Sequence, residues 1–228
     1  VTSPFSQRSD ADQSYTHWLR QGQRATWDAV VGHRFVNELF DGSLDDQVLA
    51  HYLVQDYQFV DRFVALLGAA IASSDQFAAR VRLTRFAAMV TSDEATYFQR
   101  SFDHLGVPQS ERTQPALTVP TRAFQNVMQE AAQSQNYALC LSVLVVAEWL
   151  YLSWAERAPA ALPPRCIHAE WITLHNNPDF VEFVGWLRAE LDRVGPQLDA
   201  AGQQRSVDFF SRAVALEKDF FDHVYALT

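Results

Sequence analysis

Cysteine is scarce: 228 residues carry only Cys140 and Cys166, in helix-like surroundings and without metal-ligand spacing. That argues against a disulfide framework or a zinc site and fits a reducing cytoplasm. Basic charge is short too, with 18 Lys and Arg against 27 Asp and Glu, a net charge of −9, and the cations scattered rather than gathered on one face or tail. Without a phosphate-backbone footprint, nucleic acid is not an expected partner. No early stretch joins a basic flank, an apolar run and a small-residue cleavage site, and no run approaches about eighteen uninterrupted apolar residues, so neither export nor a membrane span is expected. Internal repeats, low-complexity stretches and hinge-like linkers are missing. So are convincing period-two strands, although 143-LVVA-146 alone is ambiguous.

What the chain does contain is helical periodicity. At 48% hydrophobic it supports one sizeable core, and residues 14–228 read as one all-α domain behind a polar, loosely held tail, 1–13. From Ser14 to about Phe40 an apolar stripe recurs at three and four, with Gly32 as the candidate break between two helices. Ser43 before Leu44-Asp45-Asp46-Gln47 reads as a capping box opening a long helix towards Ala72, with Asp56 at its middle. The next helix runs from Ser73-Ser74-Asp75 to a stop at Gly106-Val107-Pro108. Pro108 to Pro120 should be the longest loop, with Thr121 capping the helix that holds Phe124. Asn136 to about Ala158 is nearly all apolar and should be central; three helices follow, Cys166 to His175, Asp179 to Leu198 and Gln203 to Tyr225.

Three acids interrupt this apolar pattern: Asp56 in YLVQDYQFV, Glu148 in LVVAEWLYLSWA and Glu217 in AVALEKDFFDHVY. A buried carboxylate costs several kcal/mol unless it is paired, hydrogen-bonded or put to use. The acids therefore suggest an enclosed polar site inside a helical bundle. The plainer reading puts Asp56 and Glu217 on solvated faces and gives Glu148 a structural ion pair with Arg62 or Arg85. Trp149 and Trp171 read as packing residues.

Four segments in order, Gln55-Asp56-Tyr57, Ala147-Glu148-Trp149-Leu150-Tyr151, Trp171-Ile172-Thr173-Leu174-His175 and Glu217-Lys218-Asp219-Phe220-Phe221, resemble the TenA family, also called thiaminase II or aminopyrimidine aminohydrolase. The resemblance runs from about Tyr15 to Tyr225 and implies a haem-oxygenase-like multi-helix bundle. It also implies hydrolysis of the bond between a 4-amino-2-methylpyrimidine's exocyclic carbon and its nitrogen leaving group, without a cofactor, giving hydroxymethylpyrimidine for thiamin salvage. Asp56 falls where the family's aspartate holds the pyrimidine ring, and Glu217 where its glutamate manages the leaving nitrogen and the water.

Many members carry a nucleophilic cysteine where this chain has Ala147, so the thiol route is closed. Cys140, about 10 Å away along the helix axis, is too far to replace it. The chain resembles the cysteine-lacking branch, with Glu148 as the candidate substitute and Glu94 as a further site carboxylate. Which acid protonates and which activates water stays open. Three family tyrosines become Phe59, Phe124 and His175 here, while Tyr151 and Phe220 remain as aromatic walls. This makes salvage intermediates, aminopyrimidine or its N-formyl form, better suited than intact thiamin. A cytoplasmic homotetramer is implied, with a homodimer as alternative and Trp18, Trp27 and Trp186 available for helix surfaces. Two rivals stand beside this reading. A di-iron oxidase of the same fold would need a Glu-x6-His segment, but Ser101 stands seven residues after Glu94, and Ile172 stands where an aspartate is needed between His168 and His175. A non-catalytic pyrimidine-binding or regulatory protein would have no basic patch with which to read DNA.

Overall fold

A computed structural model describes residues 3–8 and 13–226, apart from the side chains of residues 93–95. Among the described residues the regular elements are all helical. The chain runs α1 Tyr15–Gly22, α2 Arg24–Val31, α3 Arg34–Asp41, α4 Asp46–Tyr57, α5 Phe59–Ser73, α6 Phe77–Met89 and α7 Ala95–Leu105. It continues through α8 Gln109–Thr113, α9 Val119–Gln133, α10 Tyr137–Ala155, α11 Cys166–Leu174, α12 Pro178–Val194 and α13 Ala200–His223.

The bundle is built around α10. Asn136 caps it by accepting from the Leu139 amide at 3.1 Å, and no proline or glycine interrupts the following 19 residues. By length and hydropathy it is apolar enough to cross a membrane, but 83% of that window is buried inside the protein. Its apolar surface is covered by α2, α5, α9, α12 and α13. An all-round apolar helix is what a fully surrounded position requires.

Several helix boundaries differ from expectation, for identifiable reasons. The first stripe divides into three helices, with breaks at Gln23 and at Gly32-His33. Ser43 does not cap α4: Asp45 is its N-cap, with the carboxylate accepting from the Gln47 amide at 2.8 Å. Thr118, rather than Thr121, caps α9. The helix expected from Ser73 to Leu105 holds a π-helical turn, Val90–Glu94, between α6 and α7. Gly106 ends α7 as expected, at φ 66°, and lets the Val107 amide reach back to the Phe102 carbonyl at 2.9 Å. Part of the stretch expected as a loose tail is docked on the bundle. The Phe5 amide donates to Gln203 at 3.0 Å, and the Phe5 ring packs on Tyr15 and Trp18. Residues 1–2 and 9–12 of that tail lie outside the described residues. Trp27, expected to be available for a helix surface, is fully buried.

The most consequential break is at Gln58, which divides the expected long helix into α4 and α5 and leaves Asp56 one residue from the end of α4. The groups freed there are bonded again. The Gln58 side chain donates to the Arg112 carbonyl at 3.2 Å, and Gln125 donates to the Gln58 carbonyl at 2.8 Å. Next to Asp56, buried Gln55 holds the proline-rich connection. It donates to the Ala116 carbonyl at 3.1 Å and accepts from the Thr118 amide at 3.0 Å and the Thr121 hydroxyl at 2.8 Å. Replacing Gln55 with alanine strands these partners in part-buried surroundings. Gln55→Ala should lower the unfolding free energy by about 2–3 kcal/mol in urea denaturation, whereas an exposed substitution such as Gln99→Ala should leave it nearly unchanged.

Candidate active site

Asp56 from α4, Glu148 from α10 and Glu217 from α13 line one cavity of about 110 Å³. Each acid arrives on a different helix, so the cavity exists only when the bundle is assembled. Asp56 and Glu148 are half-buried, whereas Glu217 is 3% exposed. Desolvation holds the Glu217 carboxyl well above the ordinary glutamate range, and the charges of Asp56 and Glu148 push it further the same way. Glu217 is thereby a proton donor at pH values where an exposed glutamate is an acceptor.

The aromatic walls come from several helices. Phe59, the first residue of α5, packs edge-on against Phe124 of α9 at 5.4 Å, and both rings face the cavity. Phe220 does not line it: at 1% exposure it stands behind Phe59 at 5.1 Å and braces that ring, a core position rather than the expected wall. The side chain of Glu94, expected as a further acid, lies outside the described residues. Trp171, expected as packing only, is fully buried yet forms part of the wall, stacked on Tyr97 at 4.9 Å.

Tyr151, one helical turn beyond Glu148, reaches both the cavity and a second tyrosine. Its hydroxyl lies 2.7 Å from that of Tyr52, which is fully sealed from solvent. Desolvation raises both phenols well above their ordinary range, with the charges of Asp56 and Glu217 acting in the same sense, so both stay protonated. Two hydroxyls sharing one hydrogen bond leave one hydrogen over. If Tyr52 donates to Tyr151, the spare hydrogen faces the cavity; the reverse order strands it in a sealed space at a cost of about 1–3 kcal/mol. With Tyr52 as the donor the Tyr151 hydroxyl is left to donate towards the cavity; the 2.7 Å contact allows either order. Tyr52 was not singled out from sequence, although it stands four residues before Asp56, one helical turn back.

His175, directly after α11, also lines the cavity, its ring 4.9 Å from Tyr151. Beyond the acids the cavity is walled by Phe63, Phe86, Met89, Val90 and Phe180, an apolar end with no signal in sequence except helical spacing. Ala147 is part of the wall, and Cys140 is not. The Cys140 thiol is fully buried, donates to the Ala131 carbonyl at 3.4 Å and is pushed by burial up to about 11. Such a thiol stays protonated and inert at neutral pH. Among the described residues no group of three His, Cys, Asp or Glu side chains is arranged to hold a metal ion.

The TENA/THI-4/PQQC family description matches residues 20–227. The chain belongs to this family. A curated relative named aminopyrimidine aminohydrolase, from Halalkalibacterium halodurans, is 22% identical over 217 residues, covering 93% of this chain and 96% of the relative. The solved structure of a TenA homologue from P. horikoshii OT3 superposes with a TM-score of 0.82 at 22% identity, covering 94% of this chain and 99% of that one. A domain with a heme oxygenase-like fold from Shewanella denitrificans OS217 superposes at 0.69 with 14% identity, covering 95% and 94%. These likenesses show that this TENA/THI-4/PQQC protein has the haem-oxygenase-like all-α fold.

The raised Glu217 carboxyl of this TENA/THI-4/PQQC protein has a consequence for stability. The folded chain holds the Glu217 proton more tightly than the unfolded chain does, so the folded state binds more protons from the ordinary glutamate range upward. Stability is fully present below that range and falls as pH rises through the raised value. Glu217→Gln mimics the protonated acid without titrating. In urea denaturation the variant and wild type should be nearly equal at about pH 4, where even an ordinary glutamate is largely protonated. The variant should become progressively the more stable as pH rises; a constant difference across the series would contradict the assigned direction.

Proposed function

We propose that this chain is a hydrolase of thiamin salvage, cleaving the bond between the exocyclic carbon of a 4-amino-2-methyl-5-substituted pyrimidine and its nitrogen leaving group. The observation that carries the reading is one cavity in which a glutamate held protonated shares space with two further carboxylates and a phenol. The similarity to relatives named aminopyrimidine aminohydrolase points the same way. Asp56 accepts from the ring amino group and shares a proton with the adjoining ring nitrogen, and the ring lies against the Phe59–Phe124 pair. Good aromatic contacts of this kind contribute about 1 kcal/mol each.

In the proposed step a water oxygen bonds to the exocyclic carbon as the carbon–nitrogen bond breaks. Glu217 gives its proton to the departing nitrogen, and Glu148 takes one from the water, so an aminomethyl substrate and water become hydroxymethylpyrimidine and ammonia. Two carboxyls in one pocket divide into acid and base because each charge disfavours the next. Ala147 offers no thiol, so no cysteine-bound intermediate is formed at this position. Cytoplasmic residence and a homotetrameric assembly belong to the same reading.

The test is a substrate panel of aminopyrimidine, formylaminopyrimidine and thiamin with the purified protein. Wild type should release hydroxymethylpyrimidine from the first two in preference to the third. Glu217→Gln and Glu148→Gln should each lower kcat by about 10²–10⁴-fold with smaller effects on KM, the range for general acid–base groups. Full activity in Glu148→Gln would show that this side chain does not take the place of the absent thiol. Light scattering of the same preparation should give a mass near four times 25.9 kDa; a monomer would refute the assembly.

A further inference from the structure

His175 closes α11. The Trp171 carbonyl is one of the acceptors that the last turn of a helix leaves without a backbone partner, and Nδ1 of His175 lies 2.8 Å from it. A carbonyl oxygen only accepts, so Nδ1 carries the hydrogen. Burial among Tyr151, Trp154, Trp171 and Phe180 lowers the ring's pKa to about 4, outweighing the opposing carbonyl bond. The ring is neutral at physiological pH and Nε2 keeps its lone pair. Among the described residues no hydrogen bond reaches Nε2, and the side chain is part of the cavity wall.

We propose that His175 is an acceptor-only specificity residue, which favours substrates whose leaving nitrogen carries an N–H, a primary amine or a secondary amide, over those whose leaving nitrogen is fully substituted. The inference rests on the proposed hydrolase reading. There Asp56 takes the amino edge of the ring, and the leaving nitrogen is the next place on the substrate where an N–H exists. A tyrosine at this position would both donate and accept. Imidazole tied to Trp171 has lost the donor half of that choice.

The test compares kcat/KM for aminopyrimidine, formylaminopyrimidine and thiamin, whose leaving nitrogen is a thiazolium without N–H, in wild type, His175→Phe and His175→Gln. Removing one neutral acceptor should cost the two N–H substrates about tenfold in His175→Phe and leave thiamin within about twofold. Glutamine keeps a carbonyl oxygen near the place of Nε2 and should retain most of the preference. An unchanged ratio between amine and thiamin in His175→Phe overturns the inference while leaving the hydrolase reading intact. Wild type that turns over none of the three overturns that reading instead. Nitrogen-15 NMR of the imidazole decides the geometry independently of turnover. The neutral Nδ1–H form is expected, with the Nε2 resonance moving on addition of aminopyrimidine to the Glu217→Gln protein; the Nε2–H form, or an Nε2 resonance that does not move, overturns the assignment.

Discussion

The structure turns on keeping three carboxyl groups beside one another in an aromatic enclosure. Burial alone disfavours charge on Glu217, and the charges of Asp56 and Glu148 disfavour it again. The bundle meets this constraint by leaving one acid protonated and letting the other two open on the cavity. Glu190 gives the contrasting solution. It is 8% exposed, but its carboxylate accepts from Tyr137 at 2.9 Å and from Arg193 at 2.8 Å, and Arg193 in turn grips Asp75 at 2.8 Å. That acid is neutralised by a guanidinium and ties α10 to α12. Glu217 instead meets like charge, the arrangement expected where a proton is to be handled rather than a contact held.

Of the three acids only Asp56 sits beside an interruption; Glu148 and Glu217 lie within unbroken helices. A continuous helix from Asp46 to Ser73 would carry Asp56 in its middle, with Phe59 one turn further along the same face. The turn at Gln58 separates them, and its side chain and carbonyl are bonded to Arg112 and Gln125, so the break is held from the proline-rich connection and from α9. Gln55 fastens the same connection one turn earlier. The π-helical turn Val90–Glu94 adjoins the apolar end through Met89 and Val90, another irregularity beside the cavity. A central helix as apolar as α10 permits this, because its packing does not depend on a single face.

The helical class and the central place of α10 were legible because apolar spacing over long windows is a strong signal. The acids were legible for the opposite reason, as violations of that spacing. Boundaries were less so. Ser43, Thr121 and Gln58 depend on which of several neighbouring polar groups reaches an amide or carbonyl first, and periodicity does not encode that. Among site residues, Phe59, Phe124, Tyr151 and His175 face the cavity as the resemblance implied, whereas Phe220 was assigned one layer too far forward. Tyr52, which backs the cavity, and Trp171, which lines it, carry no separate signal because a buried aromatic at helical spacing looks the same in sequence whether it fills the core or adjoins a cavity. Only their distances of four residues from Asp56 and His175 pointed to the site.

The absence of a thiol at Ala147 shifts the demands on the rest of the site. General acid–base groups supply about 10²–10⁴-fold, a small part of typical enzymatic accelerations. On the proposed reading no cysteine-bound intermediate divides the barrier, so the remainder must come from position and from a low-dielectric enclosure. The layers behind the cavity matter for that reason: Phe220 braces Phe59, Tyr52 shares a hydrogen bond with Tyr151, and Trp171 takes the hydrogen of His175. In the first two pairs the inner residue is sealed in the core and the outer one faces the cavity, while Trp171 is itself part of the wall, so the packing that stabilises the bundle also restricts the groups that would meet a substrate. Losing a nucleophile is then compatible with catalysis only if these supports hold the water, the ring and the acid in one geometry.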